Sequence, residues 1–248
     1  MNMSSPKKTT SYALVILLSV GILSYAYMHR YTYSEKNTIE VKGIGSKSFK
    51  SNLIVWEGSF YTTNETLQGA YAELKKHQDI VKSFLLGKGV AEKEMVFGAV
   101  ETDKRSESIY NNDGRRIGSR FLGYRLSQDV TIESSELEKV EMVSRSITEV
   151  LNQGLEFYSK SPRYYFNELD NLKHDLISLA TEDAKNRAEI IAQKAGASIG
   201  DLKSADMGVF QIVGQNSTDE YSWGGTYNTS SKYKTASVTM DLTYEINN

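Results

Sequence analysis

The sequence predicts an α+β fold: a mainly antiparallel sheet with a long C-terminal helix packed on it, preceded by one N-terminal transmembrane helix. Three observations carry this reading. Between Glu168 and Ala195 apolar residues recur at Leu169, Leu172, Leu176, Leu179/Ala180, Ala184, Ile190/Ile191 and Ala195. That three-and-four spacing is the mark of an amphipathic helix, here a rod of roughly 40 Å. Paired alternating segments on either side of helical stretches argue for antiparallel sheet with helices on one face. Finally, Tyr12–Met28 carries no charge over its 17 residues.

That N-terminal stretch follows Lys7-Lys8 and, as a helix, reaches roughly 25 Å, the short end for a membrane span. Bases on its N-terminal side predict a cytoplasmic tip and an exported body. Tyr25, Tyr27, His29 and Arg30 fit an interfacial belt, whereas Ser24-Tyr25-Ala26 fits a signal-peptide cleavage site. Residues 1–30 are therefore read as anchor or signal segment, residues 31–37 as linker, and residues 38–248 as one α+β domain. Either way the body lies outside the cytoplasm, and a retained anchor makes it a single-pass inner-membrane protein.

Within the body, Thr38–Gly45 alternates as a strand, and Leu53–Trp56 with Phe60-Tyr61 forms a second. Asn64 is placed to cap a helix running to Leu86, which Gly87 and Gly89 end. Met95–Glu101 reads as a strand. Polar residues 106–119 follow, with Asn112-Asp113-Gly114 as a turn, and then a long alternating strand over Leu122–Ile132, which together suggest a hairpin. Ser135 and Glu138 have capping-box spacing for a helix that stops near Gly154. Leu155–Phe166 is extended but broken by Pro162, as an edge strand would be. Gly196 suits the left-handed end of the long helix. Val209–Val213 and Ala236–Ile246 are strands joined across a Gly-, Ser- and Asn-rich loop.

Composition narrows the function classes. With 40% hydrophobic and 24% charged residues the chain is ordinary for a globular protein. Residues 31–248 hold 26 bases against 31 acids, a balance of −5, the wrong sign for a nucleic-acid surface. With no cysteine, disulfides, thiolate catalysis and Cys-ligated zinc are excluded. His29, His77 and His174 lack metal-ligand spacing. Gly43-Ile44-Gly45 lacks the third glycine and the helix of a dinucleotide loop, and no Walker loop or nucleophile elbow is present. No cofactor, metal or catalytic residue is assigned. The exposed feature that stands out is the loop Gly214–Ser231, where Tyr221, Trp223 and Tyr227 form a candidate contact surface.

The chain resembles the SIMPL domain family, the YggE-like group of exported bacterial proteins known as a domain of unknown function. The resemblance runs over about residues 38–247. It rests on the strand Thr38–Gly45 with its V-x-G-x-G pattern, on Gly123-Tyr124-Arg125, and on the helix Ala184–Gly196, which matches A-x-x-R-A-x-x-[IL]-A-x-x-x-G. Members often carry Pro-Asp between the first two strands, where this chain has Phe49-Lys50-Ser51-Asn52. The resemblance implies an α+β domain, export to the periplasm, ring-like oligomers in some members and links to envelope stress. It supplies no catalytic residues. The expectation is a non-enzymatic, envelope-facing protein that self-assembles or binds envelope components. The competing expectations are an exported module binding glycan or peptide through the aromatic loop, and a hydrolase whose partners are scattered along the chain.

Overall fold

A computed structural model describes residues 15–28, 37–218 and 222–247. Helix α1 covers residues 15–28. Next come β1 (Thr38–Lys50), β2 (Leu53–Asn64), α2 (Leu67–Gly87), β3 (Met95–Phe97), β4 (Glu101–Tyr110) and β5 (Arg116–Ser134). They are followed by α3 (Leu137–Ser146), β6 (Phe157–Ser159), β7 (Arg163–Tyr165), α4 (Leu169–Lys194) and β8 (Ser198–Met207). The chain ends with β9 (Gln211–Gly214), β10 (Thr226–Tyr227) and β11 (Tyr233–Asn247). The α+β class and the long helix stand as the sequence predicts. Among the described residues no helix is long and apolar enough to cross a membrane. Of the expected anchor, Tyr12, Ala13 and Leu14 lie outside the described residues, as do His29, Arg30 and residues 31–36 of the linker.

The chain divides into two compact units, exchanging between them at 46/47, 173/174, 210/211 and 236/237. In the first unit β11 lies between β1 and β8, with β8 antiparallel to it from Met240↔Met207 to Asn247↔Ser198. Inward-facing Val41, Gly43 and Gly45 alternate along β1. On α4 the buried row is Leu176, Ala180, Ala184, Ala188 and Ala192, one residue every four. The two rows meet backbone to backbone. A Cβ on Gly43 would stand 2.2 Å from the Ala180 carbonyl oxygen, and one on Gly45 2.2 Å from that of Leu176. Asp183 fixes the crossing, accepting from the Ile44 amide at 2.9 Å and from Arg187 Nε at 2.9 Å. Those two bonds, the amide first, hold its carboxyl below the usual range. After α4 the chain turns through Gly196 at φ 79°, with the Ala197 amide donating to the Ala192 carbonyl.

The second unit is built on β2 and β5, antiparallel from Ile54↔Ser134 to Asn64↔Tyr124. β3 and β4 share the other edge of β5, while β6 and β7 line the other edge of β2. Pro162 is where the expected single edge segment breaks into two. Trp56, Phe60, Val130 and Ile132 from the sheet pack with Leu74 and Leu85 of α2 and Val140 of α3 into one core.

Local signals moved in three places. Thr66, not Asn64, caps α2, accepting from the Gly69 amide at 3.1 Å; Asn64 closes β2 and accepts from the Thr66 amide. The Ser135–Glu138 box does not form, because Glu138 is engaged by Lys50 and the Ser134 hydroxyl takes the Glu136 amide instead. Polar residues 198–207 form β8, a strand the sequence does not announce because most of its side chains face water and alternation is absent.

Candidate functional site

The β4–β5 hairpin outruns the sheet that carries it. The last β2–β5 pair is Asn64↔Tyr124, yet β4 and β5 stay paired out to Tyr110↔Arg116. From Ser106 to Phe121 the two strands therefore pair only with each other among the described residues, with both faces largely in solvent. Gly123 marks the departure. Its φ is 120°, and a Cβ there would lie 2.6 Å from the Asn64 carbonyl oxygen, so only glycine fits the bend. At the far end the Asn111 side chain accepts from the Asp113 and Arg115 amides, which closes the turn.

The two faces of this arm differ. One carries the Glu107–Arg120 ion pair at 2.7 Å. The other continues the inward face of the sheet. There Phe121 lies edge-on to Tyr124 at 5.2 Å, with Lys104 Nζ 5.4 Å from its ring centre. Ser106, Ser108 and Ser119 then lead out to Tyr110. At the root of this face Leu67, Gln68 and Tyr71 of α2 border an open apolar groove with Val100, Thr102 and Leu126, about 390 Å³ in volume. α2 begins at Leu67, so the sheet beyond it has no helical cover. Residues 104–123 hold five bases and two acids, a balance of +3. The sequence carries signals for this arm that the turn reading of residues 106–119 passed over: Ile109-Tyr110, Ile117 and Phe121-Leu122 are bulky residues in a polar stretch. A ribbon without a core shows no alternation to mark them as strand.

The aromatic loop is divided in its roles. Tyr221 lies outside the described residues. Trp223 is fully exposed, yet its turn is fastened. The buried Gln211 amide donates to the Ser222 carbonyl at 2.6 Å and accepts from the Ser222 amide at 3.3 Å. The Gly225 amide closes back on the Ser222 carbonyl at 3.0 Å. Tyr227 instead packs within the second unit, 6.4 Å from the Tyr165 ring, and its hydroxyl accepts from the Phe166 amide. The Tyr164 amide donates to the Thr229 carbonyl at 2.7 Å. Of the two described members of the expected aromatic set, Trp223 is presented to solvent, while Tyr227, 38% exposed, is held against its neighbours by ring and hydroxyl.

Beneath Tyr227 lies Lys234, a wholly buried lysine. It donates to the Tyr164 carbonyl at 2.5 Å and sits 5.1 Å from the centre of the Tyr227 ring. Burial alone pulls its pKa down to about 8. Tyr164 joins this lysine to a second group, since its hydroxyl donates to Glu141, which also takes Lys232 at 2.8 Å. Burial and the Glu141 carboxylate push the Tyr164 phenol up to about 12. Burial also works to raise the pKa of Glu141, but the bonds from Lys232 and Tyr164 outweigh it and hold it below the usual carboxylate range.

Of the histidines, His29 lies outside the described residues, while His77 and His174 belong to different units. His77 lines an open polar cleft with Glu73, Lys76, Asn64 and Gln153. Among the described residues no group of three His, Cys, Asp or Glu side chains is arranged to hold a metal ion.

The fold and these surfaces define an α+β protein that offers a projecting arm and a fastened aromatic turn. Its family model matches residues 39–245, and the chain belongs to the SIMPL family, described as a protein of unknown function (DUF541). No curated protein matches it. The structure gives the glycine and alanine spacing of this chain a physical content. Gly43 and Gly45 of the opening strand and the alanines of the long helix are the two sides of one close crossing.

Proposed function

We propose that this chain is a membrane-anchored, envelope-facing SIMPL protein that works without catalysis, by assembling with copies of itself. The observation that carries this reading is the β4–β5 arm. A two-stranded ribbon with no core of its own is marginal in water, and its free edges and exposed aromatics are what a neighbouring chain would cover. The anchor is supported by the uncharged run Tyr12–Met28 behind Lys7-Lys8 and by α1, whose side chains are exposed throughout. Such an anchor places residues 31–248 in the periplasm, where an envelope protein or an envelope stress response is the setting the family resemblance implies.

Light scattering on the full chain in detergent tests the reading. A single discrete oligomer, in protein that resists alkaline carbonate washing of membranes, is the expected result. A monomer at every concentration removes self-assembly, and a soluble chain beginning near Tyr27 removes the anchor.

A second reading rests on Trp223. A fully exposed tryptophan on a turn held by a buried glutamine is a pre-set anchor for a glycan or peptide. Quenching of its fluorescence by soluble cell-wall fragments would favour this binding role.

A further inference from the structure

We propose that two copies of the chain exchange their β4–β5 arms reciprocally, the tip of each arm seating in the root groove of the other. This rests on the self-assembly reading and names its surface. Tip and root share one face of the same ribbon. Tyr110, at the tip, lies eight residues along β4 from Thr102, which borders the groove with Leu67, Tyr71 and Val100. Two ribbons laid antiparallel face to face therefore bring each tip onto the other's root, and the two contacts are identical. That is the self-complementary arrangement a two-fold axis requires. Between tip and root the face carries Ser106, Ser108 and Ser119, small side chains that let a second ribbon approach closely.

Chemistry at the two ends is complementary. The tip is aromatic and basic, with Tyr110 61% exposed and Arg115 and Arg116 at the turn. The root is apolar, with Tyr71 56% and Leu67 47% exposed and Glu65 just ahead of the first turn of α2. The larger balance agrees. The arm is +3, while residues 31–248 total −5, leaving −8 outside it. A basic arm on an acidic body of the same kind favours its own copy as occupant.

The chain has no cysteine, so a disulfide between introduced cysteines reads the contact directly. Within one copy Tyr110 lies eight strand residues, about 27 Å, from Thr102, which borders the groove with Tyr71, far beyond the ~4.4–6.8 Å Cα separation a disulfide allows. The full-length variant Tyr71→Cys/Tyr110→Cys is oxidised in detergent, and the two single variants are oxidised separately and mixed. The expected result is a covalent dimer from the double variant and a mixed dimer from the combined singles, with neither single cross-linking to itself. An oligomer by light scattering that gives no cross-link overturns the arm exchange and leaves self-assembly standing. A chain that is monomeric throughout overturns both, and if its arm then sediments with anionic vesicles, a lipid surface is the occupant instead.

Discussion

Gly43 of β1 and Ala184 of α4 approach so closely that a Cβ on the glycine would lie 2.4 Å from the alanine's amide nitrogen and 2.7 Å from its Cβ. Neither neighbour is the movable end of a side chain, so the strand and the helix axis would have to part. Gly43→Ala should therefore destabilise the protein by about 1–3 kcal/mol, and Ala188→Leu, in the same buried row, by a similar amount. Urea unfolding measures both. Unchanged midpoints would mean that the crossing is loose.

Lys234 gives stability a pH dependence of definite sign. Its pKa falls from 10.5 to about 8 on folding. Below pH 8 the lysine is charged in both states, and the fold bears the whole cost of burying it. Between about 8 and 10.5 the native state has released a proton that the unfolded chain still holds, so this group makes stability rise with pH. The range is up to about 3 kcal/mol at ~1.36 kcal/mol per unit. Lys234→Met should remove it, so that the variant's advantage at pH 7 shrinks steadily toward pH 10. A difference from the parent that stays constant over that window would show that the lysine is not desolvated.

Trp223 and Tyr227 sit four residues apart and should behave oppositely. Trp223→Ala removes a side chain that touches nothing it could stabilise, and its effect should stay within about 0.5 kcal/mol. Tyr227→Ala loses the packing against Tyr165 and the face offered to Lys234, and should cost about 1–2 kcal/mol. Thermal melts of the pair check this. Equal effects would mean that the loop behaves as one unit.

What the sequence made legible follows from burial. The alanine row at 184, 188 and 192 announces its close packing because small residues recur where larger apolar ones are available, and those positions are buried. The glycine end of α4 and the long strands β2, β5 and β11 are legible for the same reason: one face of each is wet and the other dry. Where both faces are wet, as in β8 and the outer arm, side-chain polarity carries no period and the strands are held by backbone pairing alone. The loop Gly214–Ser231 looks dispensable from its composition, yet the Thr229 carbonyl and the Tyr227 hydroxyl tie it to β7 and the residue after it. Such long-range polar contacts leave no local pattern. Lys234 is hidden in a different way, since a lysine in an alternating strand reads as a solvent position until the fold closes over it.

The arm is where structure and proposed function meet, and it can be removed cleanly. Arg105 and Gly123 are register partners, so an Asn-Gly turn joining them replaces residues 106–122 with a two-residue hairpin loop. Ser106–Phe121 contributes no side chain to the core, so the shortened chain should keep its melting temperature. Native mass spectrometry of the parent and shortened chains from detergent is then decisive for assembly through the arm. The expected result is a discrete oligomer for the parent and a monomer of unaltered stability for the arm-less chain. The same oligomer from both chains would contradict it.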